Sequence, residues 1–467
     1  MSCPDSALCR LRTRLAANDI ACARQKVNCT WGESSARCCI HSCRGRGICV
    51  NGSCHCDTGF SGVDCSIRDD APPCPNGAPQ PHGIFIGQEG LQVTGGSSTI
   101  SPARFGFAHE CRGNPVTTLE PSMNGIYAPI DIFVLRLLSV HTFRALSRSC
   151  AQAEWHPMYA RRIYHNTDLF SKWSIRAVLR QRRRSRGAPM LPWIHEDHSD
   201  VGTCDEPLDH FTEGDVLLTY WGHLACKPPH VSFVVVPGGT RHSLVLNRTE
   251  HRWTSMHPEL VTWARRVYSP AQLHAPRRPV LYFQGSTREA GASADVVSRC
   301  FWPHNRSKGC GQGVYSLGIR QAVRRTIGSD ARVVFNVGKT KGVYLTTLSQ
   351  TEFCLTAPGF GFGVRIIDYV ATGCLPVIVR VESQVLLPLE PDLDYSAFAV
   401  SIPFAAIGAL PEILANMSST EIRRKREALR DVHKQFIWDE GYGQAYEAVL
   451  GALQRRLSRR DNHEALK

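Results

Sequence analysis

The sequence predicts an α/β protein with a parallel sheet in its carboxy-terminal half, preceded by a small disulfide-rich module. Two observations predict this fold class. Twelve of the 20 cysteines lie between Cys3 and Cys74, whereas continuous apolar runs alternate with amphipathic stretches from about residue 279 onward. The chain has 467 residues, of which 43% are hydrophobic and 20% are charged. It is therefore long enough for two or three domains with a sizeable core.

The formal net charge of +13 favours acidic partners, such as an anionic membrane, an acidic glycan, a phosphorylated donor or nucleic acid. The densest basic cluster consists of Arg182, Arg183, Arg184 and Arg186. It lacks the interleaved aromatic residues that stack on bases, so we expect no nucleic-acid partner. A solvated basic linker is the simpler interpretation of this cluster.

The local density of cysteines indicates either disulfides in an oxidising compartment or metal sites in a reducing one. Five Asn-x-Ser/Thr sequons are compatible with a glycoprotein of the secretory pathway; they begin at Asn28, Asn51, Asn247, Asn305 and Asn416. Neither a signal peptide nor an uninterrupted apolar window of about 18 residues is recognisable in the sequence. We therefore expect that the true amino-terminal exon, with a membrane anchor, is missing from the given sequence.

Residues 39–65 contain six cysteines with three, five, four, one and eight residues between them: Cys39, Cys43, Cys49, Cys54, Cys56 and Cys65. So short a segment needs covalent links, because it cannot bury enough apolar surface. A zinc site is the alternative, but two Cys-x-x-Cys pairs at a suitable separation are lacking. The pattern resembles an EGF-like domain, and the resemblance implies the pairs Cys39–Cys49, Cys43–Cys54 and Cys56–Cys65. We expect a spacing or protein-contact role for this module.

In the carboxy-terminal half, the alternation predicts strands over 280–285, 332–338, 353–355 and 374–379, and helices over 313–325, 343–349 and 364–372. Continuous apolar strands between helices indicate a parallel sheet that is covered on both faces. A further basic helix is predicted after the cap Ser418-Ser419-Thr420-Glu421.

The segment from Glu352 to Ile378 combines a strand, a glycine-rich turn, a helix and a second strand. This arrangement presents backbone N–H groups and a helix amino terminus to phosphate, and glycines at 359, 361 and 363 permit close approach. Arg365 and Asp368 fall on one helical face. A guanidinium can hold a diphosphate, and a carboxylate suits ribose or sugar hydroxyls. Dehydrogenases and plain packing use similar turns, so the pattern alone leaves these alternatives open.

Several motifs together resemble the donor-binding region of exostosin-type glycosyltransferases (glycosyltransferase family 47). They are Tyr315-Ser-x-Gly-Ile-Arg320-Gln321, Phe353-Cys354-Leu355, Pro358-x-Gly, Arg365, Gly373-Cys374-x-Pro376, Tyr395 to Pro403, Leu410 to Leu414 and Phe436-Ile-Trp438. The resemblance is nearly continuous over residues 279–456. Its combination with an EGF-like module is similar to green-algal members of the family.

The resemblance implies a GT-B-like pair of Rossmann-type domains that transfers a sugar from a nucleotide-sugar donor with inversion. It implies no cofactor and no metal held by an Asp-x-Asp motif. The implied donor-binding residues are Arg365, Asp368, Gly359, Gly361, Gly363 and Arg320. Family members carry Glu-Ala where this chain has Asp368-Tyr369, so the carboxylate is one methylene shorter here.

The amino-terminal half resembles the family less closely. A short strand is expected near Ala153-Glu154 and another between Asp215 and Gly222. The run from Ile194 to His198 offers four candidates for a general base that faces the acceptor hydroxyl, namely His195, Glu196, Asp197 and His198, of which Asp197 is preferred. A polar surface loop is the alternative interpretation of this run.

The predicted organisation is a cysteine-rich segment (1–38), the EGF-like module (39–65), an irregular linker (66–125), an acceptor-side α/β domain (126–278), a nucleotide-sugar-binding α/β domain (279–456) and a tail (457–467). The predicted function is transfer of a hexosyl- or glycuronosyl-type sugar to a glycan or glycoprotein in the Golgi apparatus. The EGF-like module offers a surface for a protein partner. A non-catalytic glycan-binding or scaffolding protein and a cytosolic metal-dependent nucleotide-binding protein are the alternatives.

Overall fold

The structure is a computed structural model. It describes residues 46–50, 53–61, 67–68, 84–86, 94–95, 98–99, 151–155, 191–197, 211, 213–220, 222–224, 227, 230–238, 245–247, 252–255, 258–287, 315–337, 343–359, 363, 365–381, 385–439 and 441–464. None of the helices within these ranges is long and apolar enough to cross a membrane.

Two small antiparallel pairs of strands lie in the EGF-like segment and directly after it, β1 (Gly47–Val50) with β2 (Ser53–Cys56), and β3 (Phe60–Ser61) with β4 (Ile67–Arg68). In the first pair Cys49 lies opposite Cys54. Cys56 forms a disulfide bond. Cys39, Cys43 and Cys65 lie outside the described residues, so the three pairings stay a prediction. The guanidinium of Arg46 lies 4.9 Å from the centre of the Phe60 ring.

The amino-terminal sheet consists of five parallel strands in the order β12-β10-β9-β8-β5. The elements of this half are β5 (Ile84–Ile86), β6 (Thr94–Gly95), β7 (Ser98–Thr99), β8 (Ala153–Trp155), β9 (Trp193–Asp197), β10 (Val216–Thr219), β11 (Gly222–His223), β12 (Ser232–Val235), β13 (Val245–Asn247) and β14 (Arg252–Ser255). The strands expected near Ala153-Glu154 and after Asp215 are thus present.

The prediction of an irregular linker over 66–125 needs a correction at β5. This strand pairs with β8 at the edge of the sheet, and Ile84 is fully buried. A run of three apolar residues within a Pro- and Gly-rich region is too short to show the periodicity of a strand. Ile84 is therefore buried because β5 pairs with β8, whereas the local sequence does not reveal the strand.

The carboxy-terminal sheet also consists of five parallel strands, in the order β16-β15-β17-β18-β20. Its strands are β15 (Arg278–Gln284), β16 (Val333–Asn336), β17 (Thr351–Thr356), β18 (Leu375–Arg380) and β20 (Val400–Pro403), and β19 (Val385–Leu386) pairs with β11. The helices are α1 (Pro258–Val267), α2 (Ile319–Ile327), α3 (Tyr344–Ser349), α4 (Arg365–Thr372), α5 (Tyr395–Phe398), α6 (Leu410–Ala415), α7 (Ser419–Val432) and α8 (Ala445–Glu464). Two parallel α/β halves are thereby confirmed.

The strand and helix bounds follow the sequence closely in this half, because β17 and β18 have apolar centres and are buried along nearly their whole length. The predicted cap of α7 is confirmed as well. The hydroxyl of Ser418 accepts a hydrogen bond from the backbone N–H of Glu421 at 3.1 Å.

The boundaries of the carboxy-terminal domain differ from the prediction at both ends. Helix α1 precedes residue 279 but packs against α4, and α8 continues through the predicted tail to Glu464. Helix α8 also reaches the amino-terminal sheet, where Arg456 Nε donates to the carbonyl of Phe233 at 3.3 Å. Nearby, Trp438 Nε1 donates to the carbonyl of Pro237 at 2.9 Å. The end of the chain therefore joins the two halves.

Two buried links fasten the carboxy-terminal core. A disulfide joins Cys354 on β17 to Cys374 immediately before β18, with a Cα–Cα distance of 5.8 Å, and both residues are fully buried. The guanidinium of Arg426 on α7 forms an ion pair with Glu352 on β17, where both side chains are at least nine-tenths buried. The sequence motifs contain both cysteines, but their pairing was not predicted.

Candidate functional site

The strand order of the carboxy-terminal sheet places a crevice between β15 and β17. The chain runs from β15 outward to β16 on one side and then returns to β17 on the other. In open parallel sheets, ligands bind outside the carboxyl ends of the strands at such a reversal. The described residues of the loops that follow β15 and β17 lie at this position, namely residues 285–287, 357–359 and 363. The predicted glycine-rich turn is one of them.

The side chain of Arg320 on α2 links these two loops through hydrogen bonds. Its guanidinium is 2% exposed and donates hydrogen bonds to the carbonyls of Ser286 at 3.0 Å and Ala357 at 2.9 Å. The neighbouring Gln321 donates to the carbonyl of Thr287 at 2.7 Å. These hydrogen bonds show that Arg320 positions the loops, and the donor contact that the resemblance implied for it stays a prediction.

A left-handed turn precedes α2 and ties it to the glycine-rich turn. Ser316, Leu317 and Gly318 have φ values of 61°, 52° and 71°, and each non-glycine residue in this region costs about 1–3 kcal/mol. The backbone N–H of Ser316 donates to the carbonyl of Gly359 at 2.5 Å. Such strain is concentrated at functional sites, where the surrounding structure holds it in place.

Arg365 and Asp368 occupy the first turn of α4, as predicted. The guanidinium of Arg365 is partly exposed and lies 5.6 Å from the centre of the Phe283 ring. Within the described part of the chain, Arg365 forms no ion pair with a carboxylate, Asp368 included. The positive charge is therefore available to an anionic ligand. Asp368 is 6% exposed.

The phenols behind α4 are neutral. Burial raises the pKa of Tyr369 well above its usual value, and it also raises the pKa of Tyr344. Tyr369 donates a hydrogen bond to the carbonyl of Leu355 at 3.2 Å. Tyr369 therefore braces the helix against β17, and neither phenol adds charge to the site.

A pocket of about 50 Å³ lies beside this helix terminus, between the carboxyl ends of the two sheets. The carboxy-terminal half lines it with the ends of β17 and β18, the turn before α2 and the start of α4, and the amino-terminal half contributes Tyr220 and Gly238. Most of the lining is apolar. Thr356 at the end of β17 is 6% exposed, and its hydroxyl has no hydrogen-bond partner among the described residues.

The glycines of the turn have different surroundings. Gly359 accepts the hydrogen bond from Ser316, and Gly361 lies outside the described residues. A Cβ atom at Gly363 would meet Pro358 Cα at 3.6 Å, which is an ordinary contact. The protein itself therefore does not require glycine at 363, and the space beside it belongs to the pocket.

The polar run that was predicted to contain the general base is strand β9 and not a loop. His195 Nε2 is 3.0 Å from Asp215 Oδ2, and Asp215 Oδ1 accepts a hydrogen bond from the backbone N–H of Trp193 at 2.8 Å. Asp215 is fully buried, so His195 has a fixed carboxylate partner. The hydrogen bond holds the His195 ring in one position, and its role as a general base stays a prediction.

Asp197 and Glu196 close the same strand at its carboxyl end. Asp197 pairs in register with Thr219, and the next residue, Tyr220, lines the pocket. The backbone of Asp197 thus reaches the edge of the amino-terminal sheet that borders the pocket. Within the described residues, no group of three or more His, Cys, Asp or Glu side chains is arranged to hold a metal ion.

Two family models match the chain. Residues 252–417 match the Exostosin GT47 domain, and residues 39–65 match an EGF-like domain. The first match covers the carboxy-terminal sheet through α6 and includes all the predicted donor-binding residues. Residues 252–417 are therefore similar to a glycosyltransferase domain of this type, and the segment that resembles an EGF-like domain precedes them. No curated protein matches the sequence, and the expectation of a green-algal relative has no support.

Several solved structures are similar at low identity. Anabaena Alr3699/HepE in complex with UDP-glucose is 9% identical, covers 71% of this chain and 82% of its own, and has a TM-score of 0.29. A glycosyltransferase from Rickettsia africae ESF-5 is 8% identical over 73% and 82%, with a TM-score of 0.31. WaaG, a glycosyltransferase involved in lipopolysaccharide biosynthesis, is 11% identical over 64% and 90%, with a TM-score of 0.26. Similarities of this size do not define a substrate.

Proposed function

We propose that this protein is an inverting glycosyltransferase of the Golgi apparatus. It transfers a hexosyl- or glycuronosyl-type sugar from a nucleotide-sugar donor to a glycan or glycoprotein acceptor. The observation that carries this proposal is Arg365, a cation without an ion-pair partner among the described residues, on the first turn of α4 at the reversal of strand order. The glycosyltransferase domain match over the same residues supports it.

The donor diphosphate lies at the amino terminus of α4 in this proposal. The backbone N–H groups of the first turn and the guanidinium of Arg365 stabilise its negative charge together. The same groups stabilise the nucleoside diphosphate as it leaves, so the reaction proceeds without a bound metal or other cofactor. Asp368, on the same face of the helix, accepts hydrogen bonds from ribose or sugar hydroxyls.

The reaction is a single displacement at the anomeric carbon. A carboxylate at the carboxyl end of β9, with Asp197 preferred over Glu196, removes the proton from the acceptor hydroxyl. The oxygen then forms the new glycosidic bond as the bond to the diphosphate breaks on the opposite face. The EGF-like module contributes a surface for an acceptor protein or a partner.

The test is a screen of nucleotide sugars with the purified full chain, read by thermal shift and by release of nucleoside diphosphate. A true donor raises the melting temperature, since binding to the folded state alone stabilises it. The Arg365→Ala variant should lose about 1.5–3 kcal/mol of donor binding, the range for a charge-assisted hydrogen bond. Arg423→Ala removes an exposed arginine on α7 and serves as the control.

A non-catalytic glycan-binding or scaffolding protein is the second candidate, and the EGF-like match favours it. This candidate predicts binding of glycans without release of nucleoside diphosphate from any nucleotide sugar. If no nucleotide sugar binds, or if Arg365→Ala and Arg423→Ala bind donor equally well, the proposed donor site is wrong.

A further inference from the structure

Gly285, the residue directly after β15, lies against the guanidinium of Arg365. A Cβ atom at this position would lie 2.8 Å from Arg365 Nη2 and 3.2 Å from Arg365 Cζ. It would also lie 3.0 Å from Phe283 Cζ, whereas 3.4–4 Å is an ordinary contact. Gly285 is not among the glycines with a positive φ in the described chain. The backbone conformation of Gly285 therefore suits any residue. A side chain is absent at this position because the Arg365 guanidinium occupies the space.

The ring of Phe283 bounds the same space beside Gly285. It is 1% exposed and stacks on Phe335 with ring centres 4.7 Å apart, so the ring has little freedom to move. The guanidinium of Arg320, fixed by its two carbonyl partners, also lies 5.1 Å from the centre of this ring. A cation near the face of an aromatic ring is attracted by the ring quadrupole. Phe283 therefore holds Arg365 in place without neutralising its charge.

We propose that Phe283 and Gly285 form a cradle that positions the Arg365 guanidinium, and that Gly285 is a positioning residue for the donor diphosphate. The inference rests on the proposed function, since it assigns a purpose to the exact placement of Arg365. The ring attracts the guanidinium, and the bare backbone of Gly285 leaves room for Nη2. Phe283 on β15 and Gly285 directly after it therefore set the position of the Arg365 side chain, which belongs to α4.

A methyl group at 285 should act mainly on the ligand site. The nearest atom belongs to the tip of a flexible, partly exposed side chain, which can move aside at little cost, whereas the contact of 3.0 Å with the buried Phe283 ring adds a cost in stability that the melting temperature measures. The guanidinium must then shift by several tenths of an ångström to reach ordinary contact distance. Charge-assisted contacts to phosphate depend on such geometry, and a misplacement of about 1 Å can lower a rate about a hundredfold.

The experiment is a double-mutant cycle on the full chain with Gly285→Ala, Arg365→Ala and the double variant. The probe is whichever of UDP, GDP, CDP and ADP binds the wild type most tightly by calorimetry. Gly285→Ala should raise the dissociation constant about tenfold, part of the hundredfold loss that a 1 Å misplacement can cause. In the Arg365→Ala background the same change should have no further effect, because residues in contact are not additive.

Two controls separate this effect from a general one. Gly408→Ala adds a methyl group that meets only Thr326 Cγ2, at 3.6 Å, and should leave binding unchanged. In an Arg365→Lys background the alanine at 285 has no Nη2 atom to displace, so its effect should disappear. With a donor sugar, Gly285→Ala should raise the donor KM and leave the acceptor KM unchanged.

The outcomes distinguish the two levels of inference. Loss of affinity in Arg365→Ala with wild-type affinity in Gly285→Ala overturns the cradle and leaves the donor site intact. Equal affinity in Arg365→Ala and wild type, or no nucleoside diphosphate that binds at all, overturns the donor site and the cradle with it. If Gly285→Ala fails to fold but regains its melting temperature when combined with Arg365→Ala, the contact is confirmed. If neither Gly285→Ala nor the double variant folds, Gly285 is needed for packing of the core and the cradle is overturned.

Discussion

Replacement of Cys354 and Cys374 by alanine should reveal how strongly one disulfide holds the carboxy-terminal core. The bond connects β17 to the start of β18 and closes a loop that contains the glycine-rich turn and α4. The loop therefore includes Arg365 and Asp368. We expect the double variant to unfold more easily and also to bind a nucleoside diphosphate more weakly, because the turn loses one of its fixed ends.

The magnitude follows from the sequence separation of 20 residues between the two cysteines. On the chain-entropy account, a disulfide across a loop of this length stabilises the folded state by about 3 kcal/mol. For a cooperative unit of about 200 residues, each kcal/mol corresponds to about 2–4 °C. The melting temperature should therefore fall by about 6–12 °C.

The assay compares thermal and urea unfolding of wild type and the Cys354→Ala/Cys374→Ala variant, each with and without reductant. Reductant should lower the stability of wild type toward that of the variant, and the remaining difference reports the packing of the two buried sulfurs. Peptide mapping of the unreduced protein should recover the linked pair. Equal unfolding midpoints for unreduced wild type and variant would refute the reasoning, as would two free thiols at these positions.

Three further predictions concern the core and the pocket. Arg426→Met leaves Glu352 buried without its partner and should cost about 3–5 kcal/mol in urea unfolding, whereas adding Glu352→Met should recover most of that loss. Burial lowers the pKa of His433 from its usual 6.5 to about 4, so the unfolded chain takes up the proton first, and stability should fall as the pH decreases from about 6.5 to about 4. His433→Gln should flatten this dependence, measured as the melting temperature at pH 7 and pH 5; an unchanged slope would contradict the assignment. Gly363→Ala makes only ordinary contacts and should leave stability within about 1 kcal/mol of wild type, but it should weaken nucleoside diphosphate binding; unaltered affinity would exclude a close approach of ligand to this backbone.

The sequence alone determined four of the five strands of the carboxy-terminal sheet and the position of Arg365 at the start of a helix, whereas β20 was not predicted. The centres of strands β17 and β18 are buried on both faces and are consequently short continuous apolar runs, which local composition reveals. The cap at Ser418 and the glycine-rich turn are local signals too, since each depends on a few neighbouring residues. The spacing of the cysteines in residues 39–65 predicted the EGF-like match for the same reason.

Only the tertiary structure decided which of the candidate residues meet one another. Gly285 and Arg365 are 80 positions apart in the sequence, and nothing local to either residue shows that one leaves room for the other. The burial of Arg320, the hydrogen bond between His195 and Asp215 and the strand at Ile84 also arise from neighbours distant in the chain. Periodicity and motif spacing report which side chains share a face of one element. The packing of one element against another determines whether a charge on that face binds a ligand or braces a loop.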